Sequence, residues 1–291
     1  MTNIILQLAI TGILTGIIYS LMALGLSLVF GVLRVINFAH GEFVMIAMYG
    51  NYFLFTFIGF DPYISALFLV PLFFIIGISL YQGIFRHLLD APEESQIIAT
   101  FGMTFIFRYG ATLFWSSRYR SVVTSYADKT VALGGITIDY PHILSTLTTA
   151  TLLIAIFLFL YYTNTGRVIR AVSEQRKGAL LVGINVNRIY KIALGLGLAC
   201  VALSGTTLMT FESAHPSVGV YFTLLCFVIV VLGGLGSLWG TLLGAIIIAE
   251  MEMFVGFFFK PVLTTFSYFI VFLAILMFRP TGLLGYRERR S

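Results

Sequence analysis

Residues 36–42 (INFAHGE) bring three polar side chains, Asn37, His40 and Glu42, to the start of a long apolar segment. Asparagine is a good N-cap, so Asn37 is expected to begin a helix with His40 and Glu42 in its first turn, near the positive end of the helix dipole. Asn37 and His40 are three residues apart and share a helix face, whereas Glu42 points elsewhere. A simple helix cap would explain the motif, but ionisable groups inside an apolar span usually mark a pathway or a partner, so we favour a functional role.

Four further charged side chains lie within or at the ends of apolar runs, namely Arg108, Glu212, Glu250 and Glu252. Arg108 is near the middle of its run, and an unpaired guanidinium at the centre of a membrane helix costs about 2.5–3.5 kcal/mol. We therefore expect Arg108 to have a partner, and a glutamate from another span is the obvious kind. A structural ion pair and a role in substrate passage are both open.

Several kinds of chemistry have no motif in this sequence. It contains no GxxxxGK[ST] phosphate loop, no GxSxG nucleophile elbow, no HExxH pair and no Cys/His cluster with metal spacing. The two cysteines, Cys200 and Cys226, both lie in apolar runs. We expect no bound cofactor, no metal, no enzymatic activity and no nucleic-acid partner.

The composition indicates which elements position these residues. Of the 291 residues, 59% are hydrophobic and only 10% are charged, with a mean hydropathy of +1.00; a soluble domain has about 25% charged residues. Residues 1–33 and 213–249 contain no Asp, Glu, Lys or Arg, and about 18 apolar residues already suffice for a membrane helix. The chain is predicted to be an all-α, polytopic membrane helix bundle forming one domain over residues 1–291.

About nine spans are expected, or eight to ten if one short segment is re-entrant. They are residues 4–30, 36–58, 63–85, 96–116, 142–163, 191–212, 219–236, 239–258 and 261–278. Most of the 17 basic residues fall in the connection 166–191 and in the tail 279–290. Short basic loops stay cytoplasmic, so the N-terminus is expected outside and the C-terminus inside, without a cleaved signal peptide. The loop 117–141 would then be external, either as a cap or as a contact for a binding protein.

The basic connection between the fifth and sixth spans has its own pattern. On a helical wheel over residues 166–183, one stripe is apolar and the other is charged. The apolar stripe holds Val168, Ala171, Val172, Gln175, Ala179 and Val182, and the charged one holds Arg167, Arg170, Glu174 and Lys177. Such an amphipathic helix either rests on anionic lipid or docks into a groove of a cytoplasmic partner.

Three glycines at intervals of four, Gly236, Gly240 and Gly244, follow the pair Gly233 and Gly234. Glycines at this spacing form a smooth groove on which another helix packs closely. We interpret them as helix-packing residues, with Gly233 and Gly234 breaking the chain between two spans, and expect the groove at an interface with a partner.

Several segments together resemble the branched-chain amino-acid permease family, and more narrowly the shorter membrane subunit of those ATP-binding-cassette importers. They are residues 36–42 (INFAHGE), 165–171 (TGRVIRA), 180–186 (LLVGINV), 233–237 (GGLGS) and 279–285 (RPTGLLG), in the order of the family and over nearly the whole chain.

The resemblance implies a half-pore in a bacterial-type inner membrane. Its partners would be a second homologous permease, two ATPase subunits that use ATP, a periplasmic substrate-binding protein and the lipid bilayer. Residues 164–191 would be the coupling segment, with Arg167, Arg170, Ala171, Glu174, Ala179 and Gly183 as candidates for ATPase coupling. The docking interpretation of this segment is then favoured over the lipid one.

Leucine, isoleucine and valine are the expected substrates, with urea, short amides or another small organic solute as the alternative. The candidates for the translocation path or gate are Asn37, His40, Glu42 and Arg108. A self-sufficient secondary transporter or channel is the competing class, but the basic coupling-like segment would be superfluous to it.

Overall fold

The computed structural model describes residues 1–133, 135–279 and 281–285. Arg287, Arg289 and Arg290 of the basic tail lie outside the described residues, as does Pro280 of the RPTGLLG segment. Within the described part the protein is a helical membrane bundle with one small β-hairpin, which the all-α prediction did not include.

The helices follow the apolar runs of the sequence. Lipid offers the backbone N–H and C=O groups no hydrogen-bonding partner, so a segment that crosses it bonds them within its own helix. Their bounds are α1 Thr2–Leu33, α2 His40–Phe53, α3 Pro62–Leu80, α4 Arg86–Leu88, α5 Glu93–Trp115, α6 Tyr140–Tyr162, α7 Asn164–Glu174, α8 Arg176–Leu181, α9 Val186–Leu208, α10 Val218–Gly233, α11 Leu238–Phe258 and α12 Val262–Phe278. The π-helical turns Leu54–Ile58 and Tyr81–Phe85 extend α2 and α3.

Seven of the described helical segments are long and apolar enough to cross a membrane. They comprise α1, α2 with its π-helical turn, α3 continued to Leu88, α5, α6, α9 and α11. The helices α10 and α12 are apolar but shorter. The protein is therefore a multi-pass helical membrane protein, while the exact count of nine spans and the orientation stay predictions.

The loop between α5 and α6 contains the hairpin, in which β1 (Thr130–Leu133) pairs antiparallel with β2 (Ile136–Asp139). Gln7 near the start of α1 donates to the carbonyl of Thr137 in β2, with a nitrogen–oxygen distance of 3.2 Å. The start of α1 and the hairpin thus lie at the same end of the bundle.

The core forms around α1 and α9, which are buried along most of their length. Helix α1 packs chiefly against α11, α9, α6 and α10, and α9 packs against α3, α1 and α2. In contrast, α5 is buried over only a small part of its surface, and it contacts mainly α2. Two helices form the centre, and α5 lies at the periphery of this chain.

Candidate functional site

Asn37 lies before helix α2 and does not cap it. The helix begins at His40, with Ala39 in the N-cap position and no side-chain capping bond. The Asn37 side-chain oxygen instead accepts from the backbone N–H of Ala39 at 3.1 Å. The N-cap prediction is wrong because this bond to the second residue on forms an Asx turn, a local alternative to the cap. The Asn37 side chain is buried, and its amide nitrogen has no hydrogen-bond partner among the described residues.

His40 connects α2 to the middle of α1. Its Nε2 lies 3.0 Å from the carbonyl oxygen of Met22, and the side chain is fully buried. A carbonyl oxygen can only accept, so Nε2 carries the proton and Nδ1 is the free acceptor. Nδ1 has no partner among the described residues. The geometry therefore gives His40 a tethering contact together with one unused acceptor.

Gly41 allows α2 and α10 to approach at backbone distance. A Cβ added to Gly41 would collide with the carbonyl of Gly219 and the backbone of Thr223, and one added to Gly219 would collide with the Glu42 carboxyl group. The Gly41 N–H donates to the Thr223 hydroxyl at 3.0 Å. This contact holds Glu42 against α10.

Glu42 is the partner of Arg108. The guanidinium Nη2 lies 2.7 Å from Glu42 Oε1, which joins α2 to α5 across the bundle. The Glu42 side chain is fully buried, whereas that of Arg108 is 22% exposed. The expectation of a glutamate partner from another span is confirmed, although the glutamate belongs to the INFAHGE motif. The second carboxylate oxygen and the Arg108 Nε remain without partners among the described residues.

The other three glutamates lie elsewhere. Glu250 faces Gly12 of α1, and Glu252 accepts from the Tyr221 hydroxyl at 2.8 Å. Glu212 lies in the connection between α9 and α10. Among the described residues, none of the three forms an ion pair with Arg108.

The predicted single amphipathic helix over residues 166–183 is two helices, α7 and α8, separated at Gln175. Gln175 has an extended φ of −148°, so a helical wheel drawn through the whole segment fails. The buried residues are Gly166, Ile169, Val172 and Ala179, whereas Ala171, Gln175 and Val182 of the predicted apolar stripe are exposed.

Of the candidates for ATPase coupling, two pack against this chain and four are exposed. Arg170 donates from Nε to the Leu160 carbonyl at 3.2 Å and lies over the Tyr161 ring, and Ala179 is buried. Arg167, Ala171, Glu174 and Gly183 are exposed, Gly183 with φ 80°. The end of α8 also presents three apolar side chains to solvent, those of Leu180, Leu181 and Val182, which are 54%, 88% and 75% exposed.

The predicted packing glycines lie against this chain's own helices. Gly240 meets the backbone of Gly233, and Gly244 meets the backbone of Ile229 and Gly233, so both face α10. Gly236 precedes α11, has φ 80° and lies close to Gly31 of α1. The groove is thus filled by α10 from the same chain, and the expected place at an interface with a partner is wrong for Gly240 and Gly244.

Sequence reasoning missed a polar contact between the α5–α6 loop and the start of α3. The Tyr126 hydroxyl donates to Asp61 Oδ2 at 2.7 Å, and Asp61 Oδ1 caps α3 by accepting from Tyr63 N at 3.0 Å. Burial and the neighbouring Asp61 carboxylate raise the pKa of the Tyr126 hydroxyl. The Asp61-Pro62 pair is a recognisable helix start, but the tyrosine is 65 residues away in sequence, so no local pattern predicts the contact.

The fold and the contact between Glu42 and Arg108 define the class as a polytopic helical membrane protein with ionisable groups inside the bundle. Residues 8–278 match the family described as branched-chain amino acid transport system / permease component. The chain belongs to this family.

Two relatives align over nearly the full length. The chain is 29% identical to the high-affinity branched-chain amino acid transport system permease protein BraD of Pseudomonas aeruginosa, with 97% of this chain and 96% of BraD covered. It is also 29% identical to the probable branched-chain amino acid transport permease protein LivH of Methanocaldococcus jannaschii, with 93% and 90% covered.

A solved structure shares the fold. PsaBC from Streptococcus pneumoniae in complex with Fab aligns with a TM-score of 0.52 at 16% identity, covering 93% of this chain and 91% of that one. This likeness concerns the fold alone.

Proposed function

We propose that this chain is the membrane permease subunit of an ATP-binding-cassette importer, and that it forms half of the path for leucine, isoleucine and valine across a bacterial-type inner membrane. The observation that carries the proposal is the family match over residues 8–278. The sequence contains no phosphate loop, so ATP would be hydrolysed by two separate subunits. A second permease and a periplasmic binding protein complete the proposed assembly.

The segment formed by α7 and α8 fits the role of ATPase contact. Its buried side chains, including Ile169, Val172 and Ala179, attach it to the bundle. The apolar tip of residues 180–182 points away from this chain at a basic, expected cytoplasmic end. Apolar side chains with this exposure gain free energy when a partner covers them, at about 25 cal/mol for each Å². A docked ATPase could then move α7 and, through it, α6.

The ion pair supports a path along the outer face of α5. A guanidinium that is 22% exposed within a span is poorly accommodated by lipid, so this face of α5 meets either water or a polar partner surface. We propose that Arg108 lines the path and that Glu42 holds it in place. Asn37 and His40, both fully buried, would position the start of α2 as part of an inner gate.

The test of ATPase docking is a pair of matched substitutions in the assembled importer, Val182→Asp and Val123→Asp. The two valines are 75% and 73% exposed and lie at opposite ends of the bundle. We expect Val182→Asp to remove ATPase subunits from the affinity-purified complex and to lower transport at least about ten-fold, a change of roughly 1.4 kcal/mol. Val123→Asp should retain the ATPase subunits. Equal retention in both variants contradicts the assignment of the tip.

The transport class and the substrate are tested in proteoliposomes. Leucine with its binding protein should stimulate ATP hydrolysis, whereas urea and short amides should not. If only an amide stimulates ATP hydrolysis, the assigned substrate class is wrong but the assignment as an importer stands. Solute flux through the purified chain without any ATPase would refute the importer itself and indicate a channel or secondary transporter.

A further inference from the structure

A cavity of about 390 Å³ lies where the end of α3 meets the first turn of α9. Its volume falls within the roughly 300–1,000 Å³ typical of small-molecule sites. It is lined by Tyr81, Arg86, Asn185, Asn187, Arg188 and Lys191. None of these residues is a named candidate for the path or for ATPase coupling, although four of them lie at the end of the predicted coupling segment 164–191.

Three of the lining residues, Arg86, Arg188 and Lys191, are cations that form no ion pair with any described residue. In the part of the chain that the structure describes, the ion pairs are Arg108 with Glu42 and Arg176 with Asp90, and neither involves a lining residue. Three like charges around one cavity repel one another, and an anion between them would remove that cost.

Neutral groups in the cavity also favour an anion with several oxygens. The Tyr81 hydroxyl donates to Asn187 Oδ1 at 2.9 Å, which leaves the Asn187 amide N–H groups as donors. The side-chain oxygen of Asn185 is occupied by the backbone N–H of Arg188 at 3.1 Å. The cavity adjoins the N-terminus of the 23-residue helix α9, whose dipole adds positive potential. Phosphate oxygens match this set of donors.

The position of the cavity points to a lipid as the source of that phosphate. It lies at the end of α3, whose Leu72 and Ile75, nearer the middle of the helix, are apolar and 49% and 59% exposed. Gly83, in the π-helical turn, has open space around it. An acyl chain against α3 would place its headgroup phosphate at the level of the cations, and basic pockets at this depth bind anionic headgroups.

We propose that this cavity binds the phosphate group of an anionic phospholipid headgroup, in the leaflet expected to be cytoplasmic. A lipid held there would connect the end of α3 to the first turn of α9. Since Arg176 of α8 lies 5.7 Å from the Tyr190 ring of α9, the bound lipid would also stiffen the base on which α8 rests.

The experiment is native mass spectrometry of the purified full chain in neutral detergent, titrated with phosphatidylglycerol or phosphatidylcholine. The pocket variant combines Arg86→Gln, Arg188→Gln and Lys191→Gln. The control combines Arg118→Gln, Lys129→Gln and Lys260→Gln, which removes the same charge from exposed positions at the predicted opposite side. Near-surface cations contribute roughly five-fold each, so the pocket variant should bind phosphatidylglycerol about 100-fold more weakly, while the control stays within about three-fold of the unchanged protein.

Other outcomes would overturn the proposal. Equal losses in both triple variants would mean general charge attraction, and unchanged binding in the pocket variant would place the lipid elsewhere. Competition by millimolar inorganic phosphate without any preference for phosphatidylglycerol over phosphatidylcholine would make the ligand a free anion. If the pocket variant keeps its lipid in this titration but loses the ATPase subunits when it is purified as part of the assembled importer, the cavity is a protein contact.

The single substitution Arg188→Gln, at an exposed position, repeats the measurement should the triple variant fold poorly. It should weaken phosphatidylglycerol binding about five-fold, and an unchanged affinity contradicts the proposal. None of these measurements depends on transport, so they can fail or succeed independently of the proposed function.

Discussion

The ion pair between Glu42 and Arg108 should be a strong determinant of stability, and a double-mutant cycle measures it. The variants are Arg108→Gln, Glu42→Gln and the two combined. Glutamine keeps much of the size and hydrogen-bonding capacity of each side chain while removing its charge, so the cycle isolates the electrostatic contribution.

The magnitude follows from the unequal burial of the two partners. Arg108→Gln leaves a fully buried carboxyl group without its cation and should cost about 3 kcal/mol, the lower end of the range for a broken buried pair, because the carboxyl group can take up a proton. Glu42→Gln should cost about 2 kcal/mol, because Arg108 is 22% exposed and stays partly solvated. The double variant removes both charges and should cost about 2 kcal/mol, so the coupling energy is about 3 kcal/mol.

The assay is reversible unfolding of the purified chain in mixed micelles with increasing sodium dodecyl sulfate, followed by circular dichroism. Tyr109→Phe is the control, because Tyr109 is next to Arg108 in α5 and 65% exposed; it should stay within about 0.5 kcal/mol of the unchanged protein. Additive costs in the double variant would refute the reasoning, since they would show that the two charges do not stabilise each other.

The remaining predictions concern the contact between α2 and α10 and the contact between Tyr126 and Asp61. Gly41→Ala should destabilise the chain by about 1–3 kcal/mol in the same assay, because the added methyl group collides with the backbone of Gly219; Gly110→Ala, which meets open space, should be neutral or stabilising, and equal costs would contradict the close approach. Tyr126→Phe should cost about 1.5–3 kcal/mol because it removes a hydrogen bond to a charged acceptor, Asp61. Since burial and Asp61 raise the pKa of Tyr126 in the folded state, the unfolded chain loses this proton first, and stability should fall as pH rises above about 10. Tyr126→Phe should make that decline shallower, and an unchanged slope would contradict the assigned pKa direction.

Hydropathy predicts the helices of this protein well because a membrane span must satisfy its own backbone. The span predicted at 142–163 corresponds to the observed helix Tyr140–Tyr162, and the one predicted at 96–116 corresponds to Glu93–Trp115. The hairpin at Thr130–Asp139 lies in a polar loop, where alternation over four residues gives too short a signal.

Arg108 shows how far energetic reasoning from sequence extends. The cost of an unpaired guanidinium predicts that a partner exists and that it is a glutamate in a span. The choice of Glu42 over Glu250 depends on α5 packing beside α2, which is a tertiary contact between residues 66 positions apart.

Local competition explains two of the wrong details, those at Asn37 and in the segment 166–183. The side-chain oxygen of Asn37 can cap α2 or accept from the backbone N–H two residues on. It accepts from Ala39 N and therefore does not cap the helix. The amphipathic wheel assumed an unbroken helix, whereas Thr163 caps α7 by accepting from Gly166 N at 3.1 Å and the chain turns at Gln175. Caps and breaks shift the phase of a helix, and periodicity alone does not register them.

The central position of α1 has a consequence for how the chain is made. This helix leaves the ribosome before two of its main neighbours, α9 and α11, which begin only at Val186 and Leu238. It must therefore remain in the bilayer without them while the segments in between are synthesised. The absence of any charged residue from positions 1–33 makes lipid a tolerable temporary environment. Insertion and assembly are thus separate events, and the interior of the bundle closes only when its last third arrives.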